Sequence, residues 1–244
     1  MSNVTTPRPT SRSTTRRTAL LWAAGLSIAA AGLPAQAADT SAAAPAAAPA
    51  TTPQAATPDA AYGAAMAAFD RALAGDEAAI AQAAAQFRAL MAADPAQPVY
   101  RAQAGAATSM LANTTLLPWK KMGHVEDGMA LLDKALAQLT PAHDAQRVGG
   151  VPASLVVRFT AASTFSALPA MFNRGERGAR LLDAVLKSAL LADAPLPFRA
   201  SVWLRAADSA ASAQRTDEAR QWLQRVAGSG APQAGQAQAR LKAL

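Results

Sequence analysis

Residues 203–232 read WLRAADSAASAQRTDEARQWLQRVAGSGAP, and their spacing decides the fold class. Trp203 is followed by Ala207 four residues on, then by Ala219 and, four further, by Leu223. A spacing of four keeps each large–small couple on one face of a helix. Thr216, a residue type that starts helices, separates the two couples, and Gly228-Ser229-Gly230 breaks the second helix before Pro232. The stretch predicts two neighbouring antiparallel helices that meet through small residues, with large ones filling the groove beside them.

The same alternation of helix and break runs back through the chain. Pro58-Asp59 opens a helix to about residue 74, with Tyr62, Met66, Phe69 and Leu73 on one side. Gly75-Asp76 ends it, and Asp76 caps a second helix to Ala93, whose apolar side carries Ile80, Ala83, Phe87, Leu90 and Met91. A third spans about 98–113 and a fourth 124–139, joined by a loop over 114–123. After Gly149-Gly150 the pattern predicts helices over about 152–168, 176–192, 198–214 and 216–227, and a last one over 232–242. Alanine, the best helix former, dominates, and no run alternates with the period of a strand. Short connections make sequential helices antiparallel neighbours, paired one-two, three-four, five-six and seven-eight, with the ninth as a cap.

The spacing in 203–232 resembles the tetratricopeptide repeat, a helix–turn–helix unit of about 34 residues. Leu223 stands where that family has an aromatic, and Pro232 falls one residue late. Ala83, Phe87 and Pro95 repeat the second-helix pattern at the family's own offsets. Tyr100 and Gly105 begin a further unit, whose partner residues Gly128, Leu132 and Ala135 come late because the Trp119 loop intervenes. Residues 150–192 have the length of a unit without its signature. The resemblance covers most of 59–244 and implies an all-α domain of antiparallel helix pairs stacked as a right-handed solenoid. A generic α-helical bundle is the alternative.

Ahead of this domain, residues 1–17 carry Arg8, Arg12, Arg16 and Arg17 and no acid. An apolar run of 15 residues, Ala19 to Leu33, follows, and Ala35-Gln36-Ala37 supplies a small-x-small cleavage site. A basic start, a short apolar run and an A-x-A site are the parts of a secretory signal, and a spanning helix needs about 20 residues. Residues 1–37 are therefore expected to be a signal peptide cleaved after Ala37, which places the mature chain in the periplasm or outside the cell. Arg16-Arg17 resembles a twin-arginine export motif, with Ala19 at that motif's usual phenylalanine. Residues 38–57, rich in Ala, Pro and Thr, read as a flexible linker to the domain at 58–244.

Net charge is +7 for the whole chain, from 23 basic and 16 acidic side chains. Without the four arginines of the signal it falls to +3, so the basic balance gives no case for nucleic acid. Residues 149–244 hold 12 basic and 6 acidic side chains against 7 and 10 in 38–148, which points to an acidic partner for the C-terminal half. Cysteine is absent, so disulfides and thiol chemistry are excluded and stability rests on helix packing.

No pattern in the chain converges on a reaction. The two histidines, His124 and His143, are nineteen apart and form no H-x-x-H or H-E-x-x-H site. No G-x-S-x-G or S-x-x-K nucleophile occurs. Carboxylate pairs such as Glu126-Asp127 and Asp217-Glu218 suit helix starts, where acids complement the dipole. The chain is read as a non-enzyme with no cofactor or metal.

Binding residues are sought instead. Trp119 with Lys120 and Lys121 joins apolar bulk to positive charge, as a partner contact or a membrane-surface contact would. Its scarcity among so few aromatics argues the other way, for a tryptophan tucked into the core that pins the loop. Arg101, Arg158, Arg199 and Arg205 fall on helices that come first in their pairs. In tetratricopeptide-like folds such helices line the concave face, where arginines would hold a carboxylate or an acidic segment. The expected function is a scaffold or adaptor for a protein or peptide, accessory to an envelope complex or transporter. The alternative is a helical bundle that binds a small or lipidic ligand.

Overall fold

The computed structural model describes residues 57–244. The signal peptide, its Ala35 and Ala37, the Arg16-Arg17 pair and nearly all of the linker lie outside the described residues. Within them the chain is almost wholly helical, and the helices stand in sequential pairs.

The first pair is α1 (Pro58–Leu73) and α2 (Glu77–Ala93). Thr57 and Pro58 start α1, and the Asp76 side chain accepts the Ala79 N–H at 3.2 Å to start α2. Gly75 makes the turn between them at φ +103°, a conformation that favours glycine. The next pair is α3 (Pro98–Met110) and α4 (Pro118–Ala137). Every residue of α3 is buried, because it lies against α2 and α4 and against α6 (Ala153–Ala167).

Small residues let the pairs close. A Cβ placed on Gly128 would stand 2.0 Å from Ser109 Oγ, so α3 and α4 touch backbone to backbone there. The third pair is α6 and α7 (Gly175–Leu186), where a Cβ on Gly178 would stand 2.6 Å from Ser166 Oγ. Arg174 and Arg177 tie this pair to α4 by clamping Asp133 at 3.0 and 2.6 Å, while both guanidiniums lie over the Phe165 ring. The last pair is α8 (Leu196–Ser212) and α9 (Thr216–Ala227), with Trp203, Ala207 and Leu223 in one core cluster and Ala219 buried as well. Helix α10 (Ala234–Leu241) packs on α9, and the Gln233 amide donates to the Pro197 carbonyl at 3.0 Å, fastening this end to α8.

The core is continuous from α1 to the start of α8. Tyr62 and Phe69 both meet Phe87 in edge contacts, at 6.2 and 6.0 Å between ring centres, and Phe159 meets Phe198 at 5.3 Å.

Three segments differ from the expectation. The predicted loop 114–123 is helical from Pro118: a 3₁₀ turn, Leu111–Thr114, extends α3, and the fixed φ of Pro118 starts α4 six residues early. Between α4 and α6 a one-turn helix α5 (Ala142–Ala145) precedes a hairpin of β1 (Arg147–Val148) and β2 (Val151–Pro152), whose two turn residues Gly149 and Gly150 have φ of +57° and +78°. Paired positive φ values are what a tight two-residue hairpin turn requires. Helix α7 ends at Leu186, six residues short of the expected end, and continues only as a 3₁₀ turn over Ala189–Leu191. Thr216, expected as a cap, is the first residue of α9, and no side chain caps that helix. No helix among the described residues is long and apolar enough to cross a membrane.

Candidate functional site

The helices that come first in each pair, α1, α3, α6 and α8, share a cleft. One part is a pit of about 50 Å³ between Met66, Phe69 and Leu73 of α1, Gln103 and Ala106 of α3, Phe159, Thr160, Ser163 and Thr164 of α6, and Arg205 of α8. Towards Tyr62 a second small pit of about 30 Å³ continues past Gln103 and Phe159 to the hairpin residues Val148 and Val151. Beyond the hairpin the cleft widens to about 510 Å³, edged by Asp59, Asp70 and Arg147. Met66 lines all three, so they lie side by side along α1.

This cleft exists because α1, α3 and α6 spend their large side chains on one another. Met66, Phe69 and Phe159 form one wall. The polar residues stand on otherwise apolar helix faces, and several of their atoms lack partners. Gln103 Oε1, Ser163 Oγ and Arg205 Nε are buried without a hydrogen bond. A buried polar group left unsatisfied costs about 1–3 kcal/mol, so native proteins keep few of them. Here two donors and an acceptor border the same 50 Å³ space.

Electrostatics mark the same residues. Burial lowers the Arg205 guanidinium from the usual arginine value; Asp208, 3.8 Å away, opposes this and Arg240 adds to it. Burial likewise raises the Tyr62 hydroxyl well above the ordinary phenol value, while its hydrogen bond with Gln103 pulls the other way. The Gln103 side chain thus touches Tyr62 and still keeps a vacant acceptor.

A separate apolar cleft of about 580 Å³ lies at the other side of α1, against α2, lined by Pro58, Ala61, Ala64, Gln86, Ala89, Leu90, Ala93, Asp94 and Tyr100. Among the described residues, no group of three His, Cys, Asp or Glu could hold a metal ion.

The seven residues singled out from the sequence do not come together. Arg205 alone lines the inner cleft. Arg101 is 8% exposed; its Nε donates to Gln138 at 2.7 Å and its Nη2 to the Pro95 carbonyl at 3.0 Å, so it fastens the turn before α3 to the end of α4. Arg199 lies over the Trp203 ring at 5.8 Å, and its Nε is buried without a hydrogen bond. Arg158 is half-buried on α6 beside Phe159 but lines none of the three parts of the cleft. Trp119, Lys120 and Lys121 sit in the first turn of α4. Trp119 is 67% exposed, which overturns the reading that it tucks into the core: the helix starts early and turns this residue outward.

Gln103, Thr160 and Ser163 were not anticipated. The available signal was a polar residue recurring on a helix too buried to have a wet face, but that burial depends on three neighbouring helices. Chain-wide comparison finds no matching family model, no matching curated protein and no matching solved structure.

Proposed function

We propose that this chain is an exported, tetratricopeptide-like helical scaffold that holds a protein or peptide segment in the cleft formed by α1, α3, α6 and α8. The observation that carries the reading is the trio Gln103 Oε1, Ser163 Oγ and Arg205 Nε, unpartnered beside an apolar wall. Ser163 and Arg205 can donate to a carbonyl or carboxylate oxygen, Gln103 Oε1 can accept from a neighbouring backbone N–H, and Met66, Phe69 and Phe159 suit the apolar side chain next to it. Sequential pairing of the helices, with close approach at Gly128 and Gly178, supports a right-handed solenoid in which the first helices form the concave face. Export rests on the signal-like residues 1–37 and places the work in the periplasm, accessory to an envelope complex or transporter. The reading assigns the chain no covalent chemistry.

Binding can be measured by titrating the full chain with an acidic-peptide library and repeating the selected ligand on Ser163→Ala and Arg205→Met. Loss of affinity in both variants supports the cleft. Equal affinity in wild type and both variants sinks it.

A second reading has its own observation. The 580 Å³ cleft between α1 and α2 is within the range of small-ligand sites and is lined mostly by alanine, leucine and proline. Mass spectrometry of the purified protein decides: a co-purifying lipid or metabolite, with no peptide bound in the inner cleft, favours this reading over the scaffold.

A further inference from the structure

We infer that the turn into α4 is a docking wedge for an anionic lipid surface, a site separate from the inner cleft. Five large hydrophobic residues are exposed among the described ones, and three of them, Leu116, Leu117 and Trp119, fall within four consecutive positions. Single exposed hydrophobics scattered over a surface are ordinary; three at one tip are not. Leu116 is 93% exposed and Trp119 67%, so neither makes use of the core that lies beneath them.

The residues that follow carry charge of one sign. Lys120 and Lys121 are exposed in the first turn of α4, and that turn holds no acid. The next acids, Glu126 and Asp127, are more than a full turn beyond Lys121 along the helix. Met122, half-buried, anchors the turn to the body of the protein. The order of side chains is therefore two leucines, a proline that sets the bend, a tryptophan and two lysines.

A bilayer fits this tip better than a protein partner does. A specific protein interface takes about 800 Å² from each side, commonly some 20–30 residues, whereas the wedge is six residues long. A membrane asks for little area. Tryptophan rests at the headgroup level, leucine enters the acyl boundary, and lysine reaches anionic phosphate with its apolar stem laid along the surface. None of these residues lines the inner cleft.

The test is co-sedimentation of the full chain with phosphatidylcholine vesicles, with and without one-third phosphatidylglycerol. Residues 19–33 are themselves apolar, so the readout is the difference between each variant and wild type. Lys120→Ser with Lys121→Ser should weaken binding to the anionic vesicles by roughly 30-fold and leave neutral vesicles unaffected. Leu116→Ser with Trp119→Ser should weaken binding to both kinds of vesicle, because it removes the apolar part of the wedge and keeps the lysines. Trp119→Phe should retain binding but lose the Trp119 share of the fluorescence quenching that brominated lipid produces in the wild type, Trp22 of the apolar run keeping its own, a readout that does not depend on the more drastic variants. All these side chains are exposed, so unchanged circular dichroism is expected throughout. The inference is overturned if the wild type shows no preference for anionic vesicles, if the serine variants bind as wild type does, or if the serine variants abolish a dimer and leave vesicle binding unchanged.

Discussion

Gly105 and Gly128 face each other where α3 crosses α4. A Cβ on Gly128 would lie 2.6 Å from the Gly105 carbonyl oxygen, and a Cβ on Gly105 would lie 2.8 Å from the Gly128 carbonyl oxygen. No side chain fits between two backbones at that distance, so the crossing depends on both residues lacking one. Gly128→Ala must push the helices apart and should lower unfolding free energy by about 1–3 kcal/mol or more. Gly123, earlier on the same helix, has nothing within 4 Å of its Cβ direction. Gly123→Ala should therefore stabilise, by about 0.5–1 kcal/mol, through helix propensity alone. Urea melts of the two variants should move in opposite directions; a shared direction would contradict the close crossing.

Arg101 is expected to matter for stability and not for binding. It bridges Gln138 and the Pro95 carbonyl from a nearly buried position. Hydrogen bonds from a charged group are worth about 1.5–3 kcal/mol. Arg101→Met should lower stability by an amount of that order while leaving affinity for an inner-cleft ligand within twofold. A large affinity loss with an unchanged melt would return Arg101 to the binding surface.

Ser163→Ala should separate stability from function. The Ser163 hydroxyl is buried without a partner in α6, so alanine removes an unsatisfied group and improves helix propensity. The variant should be more stable than wild type by about 1 kcal/mol and should bind the cleft ligand more weakly, by about fivefold to tenfold. Thermal melts and calorimetric titration give the two numbers. A destabilised Ser163→Ala would mean that the hydroxyl is satisfied in the folded protein.

Stability should decline in alkali because of Tyr62. Its folded-state ionisation is raised by burial, so the folded protein keeps the phenolic proton at a pH where the unfolded chain releases it. Below the ordinary tyrosine value of about 10 the two states bind the proton alike and the phenol makes no pH-dependent contribution. Above it, unfolding free energy falls by up to about 1.4 kcal/mol per pH unit for this one group. Tyr62→Phe should flatten the slope between about pH 10 and pH 12, whatever it does to the absolute stability. Guanidinium melts across that range check the slope, and an unchanged slope would mean that the hydroxyl is solvated.

Much of the helical framework was legible in the order of residues. Asp76, the Gly75 break, the apolar stripe of Tyr62, Met66 and Phe69, and the buried alanines Ala207 and Ala219 are local signals, readable because a helix places residues three and four apart on one face. The start of α4 was misplaced for a related reason. Leu116, Leu117 and Trp119 suggested a packed loop by composition, whereas Pro118 acts as a first-turn residue and its conformational constraint prevailed.

The sequence by itself determined an all-helical chain, its breaks, its freedom from disulfides and a start with the features of an export signal. Tertiary structure decided which polar residues share a cavity. Gln103, Ser163 and Arg205 are 42 or more positions apart, beyond the reach of any helical period, and only the packing of α1, α3, α6 and α8 sets them around one pit. It also decided that Arg101 is spent on a turn and that Trp119 faces outward. Local periodicity follows from the geometry of one helix; burial and polar satisfaction depend on where the other helices lie.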